Sequence, residues 1–420
     1  MRLLVISFCW IFVYTAQGWP SHGAQTDILR PNNPSKSDSY KEILYRKYTR
    51  KTRSVRPRKK YRYNLRKHEI RDARDRNALC LDGSPAVFYL SRNPYSKDWV
   101  IQLQAGGSCG DHKTCHERAK GSFGSSKDYE LYMTGSFLSS DNPNENPTFA
   151  SWNKVLVPYC SGDVFVGRKT KETHPYGLQM LGHFIVKAVV QQLMDDYKIN
   201  TTGTVILFGG ASAGGLGMLA NVDFVQQMVL PAKVHLFLHV VCSAVFKYLS
   251  TPIYVMVAQW DSYQLQELVP SQFPKVRLPP ELPSEAAYLA KFGNNTHRSL
   301  RRLIMSKMSG VFSPACFMHT FSGEAEILSV TSKYNIQGKT AYKAFSEWHV
   351  SGGAHGTYVE RPLDTPFCNP SCCSSLCTKC REQEPTKTAR HAVAYDPRTG
   401  NGEHQSRGCT SGVLVRKMAA

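Results

Sequence analysis

Acidic residues are scarce in this chain. Its 420 residues hold 32 Asp and Glu against 52 Lys and Arg, a formal charge of +20. Such an excess argues against cationic partners and for polyanionic ones. Long apolar runs are scarcer still. The one clear run, residues 3–14, is too short to cross a bilayer, and no later segment is long and apolar enough. It follows Arg2 and precedes the small residues of Ala16-Gln17-Gly18, so residues 1–18 read as a secretory signal peptide. The C-terminal residues lack the apolar tail of a lipid-anchor signal, and internal repeats are missing. A secreted, extracellular protein without a transmembrane segment is expected.

That compartment decides how the cysteines read. Of 13, Cys9 leaves with the signal and 12 remain. Cys368, Cys372, Cys373, Cys377 and Cys380 crowd together, a spacing that suggests zinc in a cytosolic chain and disulfides in an oxidising one. No metal and no cofactor is expected. Asn200-Thr-Thr and Asn294-Asn-Thr fit the N-glycosylation sequon.

The positive charge is concentrated. Residues 41–67 carry 13 Lys and Arg against the single acid Glu42. Arg56, Arg58, Lys59 and Lys60 form its densest part, interleaved with tyrosines and without a core-forming period. Inside a cell such a block suggests nucleic acid; outside, sulfated glycosaminoglycan is the natural polyanion and nucleic acid is not expected. A processed propeptide is the competing reading, because Arg50-Lys-Thr-Arg53 also resembles a dibasic cleavage site.

Residues 19–75 therefore read as a basic, flexible arm, 76–380 as the globular domain, and 381–420 as a polar, disordered tail. Strands are expected at 99–103, 154–157 and 253–257, and a helix at 180–197, where apolar residues recur at helical spacing. Strands alternating with helices point to an α/β fold, α/β-hydrolase-like, with a mostly parallel sheet and helices on both faces.

The most informative segment is Val205-Ile-Leu-Phe-Gly-Gly-Ala-Ser212-Ala-Gly-Gly215. Four β-formers run into Gly210-Ala211-Ser212-Ala213-Gly214, and a helical pattern follows. This is the G-x-S-x-G form of a nucleophile elbow, which needs small residues because strand and helix meet closely at the turn. A serine that merely caps the helix is the plainer alternative.

A serine nucleophile needs a base, and the base needs an orienting acid. Asp261 follows the 253–257 strand and suits the acid; Asp223 lies too near Ser212 on the same helix. Among His297, His319, His349 and His355, the residues themselves leave His319 and His355 both open. For the oxyanion, Ala213 follows the nucleophile, and Gln104-Ala-Gly106-Gly107 leaves an early strand with two glycines. A plain β-turn there is the alternative.

The ordered series Cys80-Leu-Asp-Gly-Ser-Pro85, Gln104-Ala-Gly-Gly-Ser-Cys109, the motif over 138–147 and Val157-Pro-Tyr-Cys-Ser-Gly-Asp-Val164 begins a resemblance. It continues with the elbow and Asn221-Val-Asp223, Gln259-Trp-Asp261, Ser313-Pro-Ala-Cys-Phe-Met-His319 and Cys368-Asn-Pro-Ser-Cys372. Over about residues 80–380 the chain resembles the pectin acetylesterase family, most closely its Notum branch of secreted carboxylesterases. The resemblance implies a triad of Ser212, Asp261 and His319, oxyanion donors at Gly106, Gly107 and Ala213, and disulfides Cys80–Cys160 and Cys109–Cys115. It implies a palmitoleate ester on a serine of Wnt signalling proteins as substrate, and hence negative regulation of Wnt signalling. Sulfated glypicans would hold the enzyme at the cell surface. A carbohydrate O-acetylesterase is the second reading.

Two departures stand out. Family members carry an aromatic pair after the oxyanion glycines, where this chain has only Ser108 before Cys109. Several dozen family residues between the elbow helix and the acid's strand have no counterpart, since only 224–252 spans the gap. That loss supports a third reading, a catalytically inactive, glycan-binding member.

Overall fold

Side-chain alternation settles how the sheet is covered. The computed structural model describes residues 64–239, 249–267, 283–319 and 335–360. In it, β1 (Asn64–Glu69), β2 (Val87–Ser91), β3 (Trp99–Leu103), β4 (Tyr132–Thr134) and β5 (Asn153–Val157) precede the elbow. Then come β6 (Val205–Ala211), β7 (Lys233–His239), β8 (Ile253–Met256), β9 (Ser309–Ser313), a small hairpin of β10 (Asn335–Ile336) and β11 (Lys339–Thr340), and β12 (Tyr358–Val359). The main sheet has the order β12-β9-β8-β7-β6-β3-β5-β2-β1-β4. From β12 to β5 every neighbour is parallel; β2, β1 and β4 extend the edge in antiparallel pairing.

Strands buried on both sides read as continuous apolar runs. Ile206 and Phe208 of β6, Leu236 and Leu238 of β7 and Val255 of β8 point to one core. Leu207, Phe237, Tyr254 and Met256 point to the other. The first core is roofed by α2 (Gly182–Tyr197), through Ile185, Val189 and Leu193, and by α3 (Ala213–Met228). The second is closed by α6 (Ala341–Val350), through Phe345 and Trp348. The remaining helices are α1 (His112–Arg118), α4 (Ser262–Glu267) and α5 (Pro283–Ile304). Helices thus cover both faces of a mostly parallel sheet. No helix among the described residues is long and apolar enough to cross a membrane.

Among the differences from the expectations, two stand out. The sheet begins at Asn64, inside the stretch assigned to the flexible arm. Leu65 and Ile70 are buried there while Arg66 stays exposed, and the density of charge hides this short alternation. Strand β7 was not anticipated either, although Val234, Leu236 and Leu238 alternate with His235 and Phe237. The signal segment, Arg56, Arg58, Lys59 and Lys60, the cysteines from Cys368 to Cys380, and the tail lie outside the described residues.

Candidate active site

Ser212 sits between β6 and α3 with φ 51° and ψ −122°, a backbone conformation that non-glycine residues rarely adopt. Close packing holds it there. A Cβ on Gly210 would lie 2.3 Å from the carbonyl carbon of Gly214, and one on Gly214 would lie 2.2 Å from the Leu103 oxygen. Both flanking glycines are therefore required sterically. The Ser212 side chain makes no capping hydrogen bond to α3. Its Oγ instead lies 2.8 Å from Nε2 of His319.

The partners arrive on adjacent parallel strands. Beyond β8 and β9 the pairing continues: Gln259 N donates to Pro314 O, Trp260 N to Cys316 O and Met318 N to Trp260 O. This extension carries Asp261 and His319 side by side to the elbow's end of the sheet, and Cys316 is itself disulfide-bonded. Nδ1 of His319 lies 2.9 and 3.0 Å from the two carboxylate oxygens of Asp261. An ionised carboxylate only accepts, so Nδ1 carries the proton and the Nε2 lone pair faces the serine. Asp261 also accepts from Gln264 N at 2.9 Å, capping α4. Its side chain is 3% exposed against 26% for His319. The Tyr263 ring packs on the imidazole, centroids 4.9 Å apart.

The other histidines are elsewhere. His355 is exposed in the turn before β12. Because β12 runs parallel to β9, that turn lies at the N-terminal end of the strands, opposite the elbow. His297 lies on α5. His349, on α6, stacks edge-on with His235, and burial pulls it down to about 4. Asp223 is exposed on α3.

The Gln104–Gly107 turn meets the elbow directly. A Cβ on Gly214 would also touch the Gln104 oxygen, at 2.8 Å. Gln104 is anchored on both sides, its N donating to Val157 O and its Oε1 accepting from Tyr159 N at 2.9 Å. Gly107 takes φ 66°, and Gly106 is wedged between the rings of Tyr159 and Phe123. Ala213 opens α3, where the first N–H groups have no acceptor within the helix.

Beneath α3, Asp163 fastens the following loop. It accepts from Ser161 Oγ, Phe165 N and Gly182 N at 2.6, 3.0 and 2.8 Å. Burial pushes its carboxyl up to about 6. In the sequence, Asp163 lies within the 157–164 motif without a signal for its role, and no local pattern marks Tyr263, Phe123 or Tyr159. Cys80 pairs with Cys160 and Cys109 with Cys115, with Cα atoms 4.9 and 5.1 Å apart. Asn294 is exposed on α5, and Asn200 is half-buried in the turn after α2.

The family model described as Pectinacetylesterase matches residues 58–239 and 238–373. Its two pieces meet at the end of β7, inside the 224–252 span. Palmitoleoyl-protein carboxylesterase NOTUM of Mus musculus is 37% identical over 156 residues, covering 36% of this chain and 30% of that protein. The chain thus spans about a third of the length of the first Notum relatives it matches. Pectin acetylesterase 5 of Arabidopsis thaliana is 26% identical over 364 residues, covering 71% of this chain and 83% of the plant protein. That alignment has more positions than this chain supplies residues, so the plant protein carries stretches with no counterpart here. In fold, the chain is similar to the crystal structure of the Wnt deacylase Notum from Drosophila. The TM-score is 0.63 at 22% identity, over 74% of this chain and 100% of that one. With the family model matched across most of its length, this chain belongs to the pectinacetylesterase family.

Proposed function

We propose that this protein is a secreted serine carboxylesterase. Ser212 attacks the ester carbonyl, His319 takes its proton and returns it to the leaving alcohol, and Asp261 orients His319 and stabilises the imidazolium. The N–H groups of Gly106, Gly107 and Ala213 receive the oxyanion, and water attacking the acyl-serine by the same base completes the cycle. The observation that carries this reading is the unbroken chain of hydrogen bonds from Asp261 through His319 to Ser212 Oγ. Family membership supports ester hydrolysis as the reaction class.

The substrate proposed is a fatty-acyl ester on a secreted signalling protein of the Wnt type. Its support is the name of the relatives at 37% and 36% identity, palmitoleoyl-protein carboxylesterase. A sugar O-acetate is the alternative, favoured by the longer alignment to the plant pectin acetylesterase. A long acyl chain needs a deep apolar pocket and an acetate a shallow polar one. On p-nitrophenyl esters, kcat/KM should rise from acetate to octanoate. A steady fall along that series would replace the lipid reading with the O-acetyl one.

The basic segment is proposed to hold the enzyme on sulfated glycosaminoglycan at the cell surface, with Arg56, Arg58, Lys59 and Lys60 at its centre; Asn200 and Asn294 are proposed glycosylation sites. A block of +12 over 41–67 should release many counterions on a linear polyanion, giving a steep salt dependence. Because β1 starts at Asn64, the deletion that tests this should stop at residue 63. Loss of residues 41–63 should lower the salt needed for heparin elution and leave turnover of a small soluble ester unchanged. Elution at unchanged salt would assign the binding to the folded domain.

A further inference from the structure

Arg118, a cation beside the site, has no carboxylate partner among the described residues. It ends α1, three residues after the Cys109–Cys115 bridge. Its guanidinium carbon lies 5.6 Å from the centroid of the Phe123 ring and 5.8 Å from that of Tyr159. These are the two rings that wedge Gly106: a Cβ there would lie 2.8 Å from Phe123 Cδ1 and 2.5 Å from Tyr159 Cδ1. A Cβ on Gly107 would lie 3.5 Å from Arg118 Nη2. Nη1 is buried and makes no hydrogen bond, and among the described residues no carboxylate forms an ion pair with this guanidinium.

The residue as a whole is half-buried, so the cost falls on Nη1, a buried donor without an acceptor. The cation–π contacts offset part of that cost and fix the group in place. What they do not supply is a negative charge. Among the described residues no carboxylate is paired with Arg118, whereas ester hydrolysis creates a negative charge beside the Gly106–Gly107 turn with each tetrahedral intermediate. A fixed charge that meets its counter-charge only in the transition state lowers the barrier without tightening the ground state.

We propose that Arg118 is a positioning residue for the oxyanion. It clamps the Gly106–Gly107 turn through the Phe123–Tyr159 stack and stabilises the developing charge through that turn from behind. The inference rests on the esterase reading above. It also gives Phe123 a role next to the glycines, where family members carry an aromatic pair and this chain has Ser108.

The test uses a neutral short-chain ester and a trifluoromethyl ketone, which adds to the serine and carries the oxyanion. The alcohol corresponding to that ketone, which cannot add, reports ground-state binding. Arg118→Met should lower kcat about tenfold or more, with KM within about twofold. It should weaken inhibition by the ketone by the same factor and leave binding of the alcohol unchanged. Arg118→Lys, which keeps the charge, should recover most of the loss. Should Arg118→Met fail to fold, Phe123→Leu decides, because that ring is partly exposed and its loss frees the guanidinium: kcat and ketone affinity should fall together. Unchanged kcat in a folded Arg118→Met enzyme, or in Phe123→Leu where that variant decides, overturns the inference while leaving the esterase reading intact. So does a parallel loss of ketone and alcohol binding that Arg118→Lys does not rescue. A wild-type protein without turnover on any ester overturns both.

Discussion

Ser212→Ala should reduce turnover of a chromogenic ester by about 10⁴-fold or more, with binding of the ester little affected. The loss is large because the three groups act as a unit: without the hydroxyl, His319 has no proton to take and Asp261 no imidazolium to stabilise. The fold should tolerate the change. Ser212 makes no capping bond to its helix, and alanine is smaller than serine at a position hemmed in by Gly210 and Gly214. Equal thermal stability of the two proteins, beside a lost rate, assigns the effect to chemistry. A folded Ser212→Ala protein with the wild-type rate would remove the serine from the mechanism. If the wild type itself turns over nothing, the inactive glycan-binding reading stands in its place.

The second large effect is expected at Asp261. Asp261→Asn preserves shape but replaces an acceptor-only carboxylate with a group that can donate. Nδ1 of His319 then accepts from the amide, and the ring's proton moves to Nε2, where the lone pair must face Ser212 Oγ at 2.8 Å. A wrong tautomer of this kind costs about 10⁴-fold in kcat in a serine triad. The asparagine Oδ1 can still accept from Gln264 N, so the α4 cap survives and stability should change little. His355→Ala serves as the control and should be silent, because that side chain is exposed at the opposite end of the sheet. Activity lost in His355→Ala and retained in His319→Ala would reassign the base.

The elbow was legible because its requirements are local. Strand, small residues and helix lie within one stretch of sequence, and the contacts around Gly210 and Gly214 show why nothing larger fits. The sheet was legible for a related reason: runs such as 253–257 have to be apolar when both faces are covered. The choice between His319 and His355 was not local. It depends on β9 lying beside β8, so that their extensions bring Met318 against Trp260, and no spacing in the sequence encodes that adjacency. Family resemblance implied His319, the histidine whose Nε2 lies 2.8 Å from Ser212 Oγ. Arg118, Phe123 and Tyr159 escaped because two separate segments, 118–123 and the stretch just after β5, build their cluster, each ordinary on its own. The strand at Asn64–Glu69 escaped because its charged residues resemble the arm before them.

A covalent probe addresses the central claim most directly. The intact, folded protein is treated with a fluorophosphonate, which phosphonylates a serine activated by a neighbouring base, with loss of fluoride, and the adduct is located by peptide mass spectrometry. A single adduct on the peptide containing Ser212 is expected, absent in Ser212→Ala and strongly slowed in His319→Ala. A folded protein that takes up no probe, or takes it up at another residue, would contradict a serine esterase built on Ser212, His319 and Asp261.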